Sequence, residues 1–460
     1  MDQLLFYVLV LVLGIVYTFV GYIISRSITT TQEYFLAGRS LGIMPLTISL
    51  TATQLGGGFI LGTSRESYIY GYWGLLYVIG ICLGFLLLSC GIASRLRALS
   101  IETTAQLFQL RYNSILLKKF ASLCSILSLC GIFAAQVIAS RTLMLALNVY
   151  NPLLFAVFWL LIISYAMMGG LKAIVKNDIF QLSFIIIIFT CLFIFDVSSN
   201  FAQAKNILFK SNDFFSAHAL ADNARILTVL LMPALYALIE QDLAQIFFAA
   251  RNSRIAVVGA FSAALFLLFF AVIPLYFGMK MKVLGLPLTF NANPLMSYVN
   301  QTSSNSIIAL VTYGVFAAII SSANAVLCAI SSNIVQDFNI ARFDKKHAVI
   351  IAQLVTLLVG ISGLIAGFYL SDLIGVLVDS YALPVIALLV SLLVAYFTTG
   401  QLSTLAAYAS IFTGLGTFII LLLSKTTLLI SPELDALLGS AIGYILGLTI
   451  DQLYTRTSKL

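Results

Sequence analysis

Pro45-Leu46-Thr47-Ile48-Ser49-Leu50-Thr51-Ala52-Thr53-Gln54-Leu55-Gly56-Gly57-Gly58-Phe59 decides how this chain folds. It begins as a largely apolar run and then meets three consecutive glycines, each of which costs a helix about 1 kcal/mol against alanine. The run continues on both sides, over 43–70, so the break lies inside a segment long enough to cross a bilayer. Within a membrane, freed backbone groups are tolerated only against protein or beside a water-filled cavity. A break here therefore points to an interior site and to a bundle large enough to enclose it.

The rest of the chain supplies such a bundle. Of its 460 residues 61% are hydrophobic and 9% charged, with mean hydropathy +1.07. A soluble protein carries about a quarter charged residues, and no polar stretch here approaches the ~50 residues of a small soluble domain. The expected fold is an all-α polytopic membrane protein of about thirteen spans: 3–25, 43–70, 73–94, 118–146, 151–168, 174–196, 225–248, 254–278, 305–336, 348–370, 373–398, 404–423 and 433–450. The first apolar run, Leu4–Ile24, follows Met1-Asp2-Gln3 with no basic residue and exceeds the roughly 7–15 residues of a secretory h-region. It is read as a retained helix. Cys82, Cys90, Cys124, Cys130, Cys191 and Cys328 all lie in apolar runs and read as small apolar side chains, not as a disulfide framework.

The net charge of +7 is a topology signal. With residue 1 outside, sixteen basic residues, from Arg26 and Arg39 through Arg251 and Arg254 to Arg456 and Lys459, fall inside. Six fall outside: Lys205, Lys210, Arg225, Lys280, Lys282 and Lys425. The positive-inside rule then puts the N-terminus outside and the C-terminus in the cytoplasm, in a cell (inner or plasma) membrane. No basic cluster alternates with aromatics in a polar segment, so nucleic-acid binding has no footprint.

Pro233 interrupts the seventh span and Pro384 the eleventh, near Asp379. Spans two and seven each open a set of five. That is where an inverted-repeat transporter places its discontinuous helices.

Polar residues within the spans carry the chemistry. In Ala317-Ala318-Ile319-Ile320-Ser321-Ser322-Ala323-Asn324, the Ala318 carbonyl lies one turn before two hydroxyls on the same face. Hard cations take oxygen ligands. These groups, with unwound carbonyls near Gly56, would form a neutral oxygen cage for a monovalent ion. Serines that back-bond to the preceding turn and let helices pack closely are the alternative. Asp178 follows Gly169-Gly170-Leu171-Lys172-Ala173-Ile174-Val175-Lys176-Asn177 and reads either as an ion pair with Lys172 or Lys176 or as a guide for a cation leaving toward the cytoplasm. Glu240, Gln241 and Asp242 are placed near the cytoplasmic end of the seventh span, with Gln245 one turn on, as a helix-end structure or a gate. Arg65-Glu66 is read as an interfacial pair, Asp379 with Ser380 and Tyr381 as solute contacts, and Arg141 as a buried cation in need of a partner. No GxxxxGK[ST] loop or HExxH is present, His218 and His347 fall in loops, and no nucleophile–base pairing suggests an enzyme.

Four segments resemble the sodium:solute symporters. Glu33-Tyr34-Phe35-Leu36-Ala37-Gly38-Arg39-Ser40-Leu41-Gly42 is similar to the loop before that family's first core helix, and Gly169 through Gln181 to its fifth-helix motif. Gln241-Asp242-Leu243-Ala244-Gln245 resembles the sixth and Ser321-Ser322 through Asp337 the eighth. The resemblance implies a LeuT-like core of two inverted five-helix repeats, 43–196 and 225–398. Segment 1–42 precedes them, an extracellular loop 197–224 lies between them, and two further helices, 399–460, follow. It implies a sodium ion as the coupling ion, held by the carbonyls of Ala52, Leu55 and Ala318 and the hydroxyls of Ser321 and Ser322, with Asp178 on the exit path. The chain departs from the family at Gln54, where some members are acidic, and at Asn324 and Ala325, where members with a second sodium carry hydroxyls. One sodium per cycle is the expectation. Glu240 and Ile246 replace residues that are often small or basic.

The expected function is sodium-coupled symport of a small organic solute by alternating access, through a midplane pocket lined by Gln54, Gly57, Phe59, Tyr77, Tyr236 and Tyr381. Aromatic walls and amides with no fixed charge suit an amino acid such as proline, or a sugar. A proton-coupled transporter using Asp178 or Asp379 is one rival. A solute-binding membrane sensor is the other, and the chain's end about ten residues after its last span counts against it.

Overall fold

Apolar runs become helices here, and short polar side chains set where they start. Thr30, Thr103, Ser114, Asn252 and Asn293 each accept a backbone N–H from the first turn of the helix that follows. The computed structural model describes residues 3–199, 201–209, 223–285, 293–340, 347–370, 373–424 and 426–457. Lys210, His218, Arg342, Lys345, Lys346, Lys425 and Lys459, which enter the topology argument or the histidine reading, lie outside these residues.

The helices run in chain order as α1 (Gln3–Ser25), α2 (Thr31–Leu36), α3 (Ile43–Gln54), α4 (Thr63–Tyr70), α5 (Leu76–Leu87), α6 (Ala93–Ala98), α7 (Thr104–Tyr112), α8 (Ile115–Ala146), α9 (Pro152–Ser199) and α10 (Phe201–Phe209). They continue as α11 (Asn223–Tyr236), α12 (Gln241–Ala249), α13 (Ser253–Phe270), α14 (Val272–Val283), α15 (Pro294–Thr302), α16 (Asn305–Ser332), α17 (Ala348–Tyr369), α18 (Leu373–Phe397), α19 (Thr404–Ser424) and α20 (Pro432–Thr457). Among the described residues there is no β-strand, only a bridge between Leu41 and Ala250 that ties the loop before α3 to the end of α12.

Burial sorts the helices into an inner set and a rim. In α8 and in 305–337, 72% of the most apolar window is buried, against 28% in α17 and 33% in α19. Phe412, Leu423, Leu358 and Tyr369 stand on those outer faces, exposed. An apolar exterior of this extent is one that lipid covers. The protein is a multi-pass membrane protein.

Ten helices among the described residues are long and apolar enough to cross a bilayer. The count of thirteen cannot be read from them, because helical structure runs on across expected boundaries. One such segment, 58–98, is 41 residues long and another, α9, is 48. The chain turns within α9 at Gly170, whose φ is 50°. An added Cβ there would lie 2.4 Å from the Tyr34 carbonyl oxygen, so glycine is required for both reasons. The expected loop 197–224 includes a helix, α10, onto which the Tyr72 hydroxyl docks by donating to the Leu208 carbonyl at 2.6 Å.

Two span readings need correction. Pro384 does not interrupt its helix, since α18 is continuous. A proline leaves the carbonyl four residues earlier without its N–H, and that carbonyl, of Ser380, accepts the Ser128 hydroxyl of α8 at 2.5 Å. The seventh span is broken, but beyond Pro233. α11 runs to Tyr236, and 237–240 form a turn before α12 begins.

Candidate functional site

The glycine triplet does what its sequence implies. α3 stops at Gln54, the backbone opens at Leu55 (φ −75°, ψ 32°), and the chain resumes as one π-helical turn, Gly58–Gly62, ahead of α4. The Gly57 N–H no longer points back along α3. It donates to Oε1 of Gln136 on α8 at 3.1 Å. The carbonyls at the end of α3 are thereby freed. Oγ of Ser322, on α16, donates to the Thr53 carbonyl at 2.6 Å and reaches that of Ala52 at 3.5 Å.

Beside it, the Ser321 hydroxyl donates to Oδ1 of Asp178 at 2.6 Å, and the Ser49 hydroxyl donates to Oδ2, also at 2.6 Å. α3, α9 and α16 thus converge on one buried cluster. Leu55 and Ala318 are fully buried on the same elements. Asp178 makes no ion pair with Lys172 or Lys176, because it faces inward between two hydroxyls. Sequence reasoning missed Ser49 and Thr53. Their i, i+4 spacing, with Ala52 beside them, was the available signal.

A small cavity lies against this cluster, with Gln54, Phe59, Tyr77 and Tyr381 in its wall. The Tyr77 and Tyr381 hydroxyls are 2.9 Å apart. Gly57 and Tyr236 are not in the wall. Gly57 faces Ala139, where an added Cβ would lie 2.7 Å away. Tyr236 stands behind Tyr381, ring stacked on ring at 4.5 Å, its hydroxyl bonded to Ser128. On its far side is a second cavity, lined in part by Thr104, Phe108, Ser125 and Pro384.

The wall of the first cavity also carries what the sequence reading excluded, fixed carboxyl groups. Glu240 and Asp242 both line it. They were expected at a helix end near the cytoplasm, but the turn at 237–240 brings them to an interior break. Glu240 Oε2 accepts Gln54 Nε2 at 3.2 Å across the cavity.

The neighbouring glutamines are structural. Gln241 Oε1 accepts the backbone N–H and hydroxyl of Thr104 at 2.7 and 2.9 Å. Gln245 Nε2 donates to the Phe35 carbonyl at 2.6 Å, and Thr103 donates to Asp337 at 2.6 Å. These bonds tie the start of α12 to the start of α7, the middle of α12 to α2, and the helical turn after α16 to the residue that caps α7.

Two outlying readings change and a third is completed. Asp379 is exposed on α18 and is absent from the cavity wall. Glu66 pairs with Arg225 at 3.2 Å, and Arg65 is exposed. Arg141 finds its partners at the end of α17, donating to the carbonyls of Phe368 at 2.7 Å and Leu370 at 3.0 Å. A cation there complements the helix dipole.

Comparison with known proteins adds the following. The model of the sodium:solute symporter family matches residues 34–357. The chain is 27% identical over 209 residues to sodium-coupled monocarboxylate transporter 1 of Xenopus laevis, a match covering 42% of this chain and 31% of that protein. It is 32% identical over 158 residues to the sodium/pantothenate symporter of Escherichia coli (strain K12), covering 33% of each. The matches thus span about a third of the length of these curated relatives. The solved structure of a Na+-coupled sialic acid symporter in a substrate-bound outward-open state aligns over 96% of this chain and 97% of that one, with TM-score 0.78 at 20% identity. That likeness shows a LeuT-like fold.

Proposed function

Because the chain belongs to the sodium:solute symporter family, we propose that it carries a small organic solute into the cell together with sodium, by alternating access. The observation that carries this reading is the turn of Ser322 onto the freed carbonyls of Ala52 and Thr53, with Ser321 held by Asp178 alongside. Each serine gives its hydrogen to an oxygen and keeps its lone pairs for a cation. The carbonyls of Ala52, Leu55 and Ala318 and these two hydroxyls are the sodium ligands, one ion per cycle. Asp178, between Ser49 and Ser321, receives the ion as it leaves.

Sodium so held joins α3 to α16 and favours the outward-facing state. Coupling follows when the solute prefers that same state, since a ligand shifts an equilibrium only by its differential affinity. The two repeats, 43–196 and 225–398, supply the rocking halves, with the N-terminus outside, the C-terminus in the cytoplasm and the protein in the cell (inner or plasma) membrane. The stacked Tyr236 and Tyr381 divide the solute cavity from the second cavity and act as the inner gate. An amino acid such as proline, or a sugar, suits the aromatic and amide walls. Glu240 and Asp242 move the preference toward solutes bearing positive charge.

Uptake by proteoliposomes from a panel of labelled amino acids, sugars, amines and carboxylates, under an inward sodium or potassium gradient, tests the reading. Uptake with sodium alone, lost in Ser321→Ala/Ser322→Ala, is expected. Uptake indifferent to sodium and rising on acidification would favour proton coupling, for which the buried Glu240, Asp242 and Asp178 are the groups available.

A further inference from the structure

We infer that the carried solute is a small organic cation bearing N–H groups, a protonated amine, received by Glu240 and Asp242. This rests on the symport reading above and names the class of its cargo. In a discontinuous membrane helix, the N-terminal end of a half-helix presents free N–H groups and the positive end of its dipole to the cavity, where an anionic part of a substrate is held. Here that end is Glu240-Gln241-Asp242, and the chain has placed its own carboxyl groups there. Glu240 precedes the first helical residue yet makes no capping bond, reaching instead across to Gln54. At the facing break, the Gly57 N–H is taken by Gln136. One N–H at the facing break is therefore already taken, and the start of α12 faces the cavity with the chain's own carboxyl groups.

The two carboxyl groups, buried within reach of each other, have no lysine or arginine paired with them among the described residues. An anionic solute would bring like charge to this buried carboxyl pair. An independent observation points the same way. Thr53 Oγ1 and Asp242 Oδ1 have no hydrogen-bond partner, although both residues line the cavity and are only 5% and 2% exposed. Oxygens left in that condition call for donors, and an ammonium group brings up to three together with the compensating charge. The rings of Tyr77, Tyr381 and Phe59 complete a wall that tolerates a cation against its faces and an alkyl body between them.

The test uses the full chain in proteoliposomes under an inward sodium gradient. Radiolabelled sodium influx is followed on adding n-butylamine, n-butanol or butyrate, probes of one shape and different charge, and then their homologues. Amines are expected to raise influx at least tenfold more than the matching alcohols and carboxylates. Glu240→Gln should reduce that stimulation at least tenfold while sodium still raises the variant's unfolding temperature, which shows a folded protein with its cage. Asp242→Asn should lower it independently. Stimulation by an alcohol or a carboxylate and not by amines would overturn the cation and leave sodium symport standing. Amine stimulation unchanged in both variants would overturn the assignment to Glu240 and Asp242. A wild type stabilised by neither sodium nor any amine would bring down both readings.

Discussion

A methyl group added at Gly56 would lie 2.6 Å from Ser322 Oγ and 3.1 Å from the Gln136 amide, so the break in the first core helix admits no side chain. Gly56→Ala is expected to push the serine off the Ala52 and Thr53 carbonyls. The sodium concentration for half-maximal uptake should rise at least tenfold. Gly62→Ala, where an added Cβ meets nothing within 4 Å, should transport as wild type. A sodium titration of uptake by the two variants checks the contrast. At this scale the sequence was legible where a polar group stood out from an apolar helix, as at Ser321, Ser322 and Asp178. It was not legible where the role depends on which face meets which neighbour. Thr53 and Gln136 read as ordinary helical residues, and Glu240 read as a helix end until the turn at 237–240 placed it inside.

Among the elements, the proline that breaks nothing is instructive. Pro384 frees the Ser380 carbonyl, and Ser128 of the neighbouring helix takes it up at 2.5 Å. Ser128→Ala should lower stability by about 1 kcal/mol, the net worth of such a bond. In a Pro384→Ala background the loss should shrink, because residue 384 then offers its own N–H to Ser380. A double-mutant cycle by detergent unfolding reads the difference. Arg141 follows the same logic at the end of α17. Arg141→Met should cost about 1 kcal/mol and Arg141→Lys less, since a cation remains near the helix C-terminus; unfolding temperatures compare the two. Three glycines within a crossing segment announce a break in any setting. Whether a proline kinks its helix depends on a partner on another helix, so no reading of Pro384 alone could have settled it.

For the molecule as a whole, apolar runs and composition identified a multi-pass bundle, and the glycine triplet pointed to its interior. Helix continuity across Gly170 and through 58–98 obscured the span count, because one positive-φ glycine turns the chain without a polar loop to mark it. A buried pair ties separate parts of the bundle together. Lys280 of α14 lies 2.6 Å from Asp196 of α9, which also accepts the hydroxyls of Tyr276 and Tyr298. Lys280→Met should cost roughly 3–5 kcal/mol by stranding the carboxylate, and Lys280→Met/Asp196→Leu should recover much of it. Thermal unfolding of both variants decides that. The central claim, a sodium ion between the end of α3 and the serine pair of α16, is tested most directly by equilibrium binding of radiolabelled sodium to the purified protein. Saturable binding to wild type and to Gly62→Ala, at least tenfold weaker in Ser321→Ala/Ser322→Ala, is the predicted result. Binding of wild-type affinity in the double serine variant would contradict it.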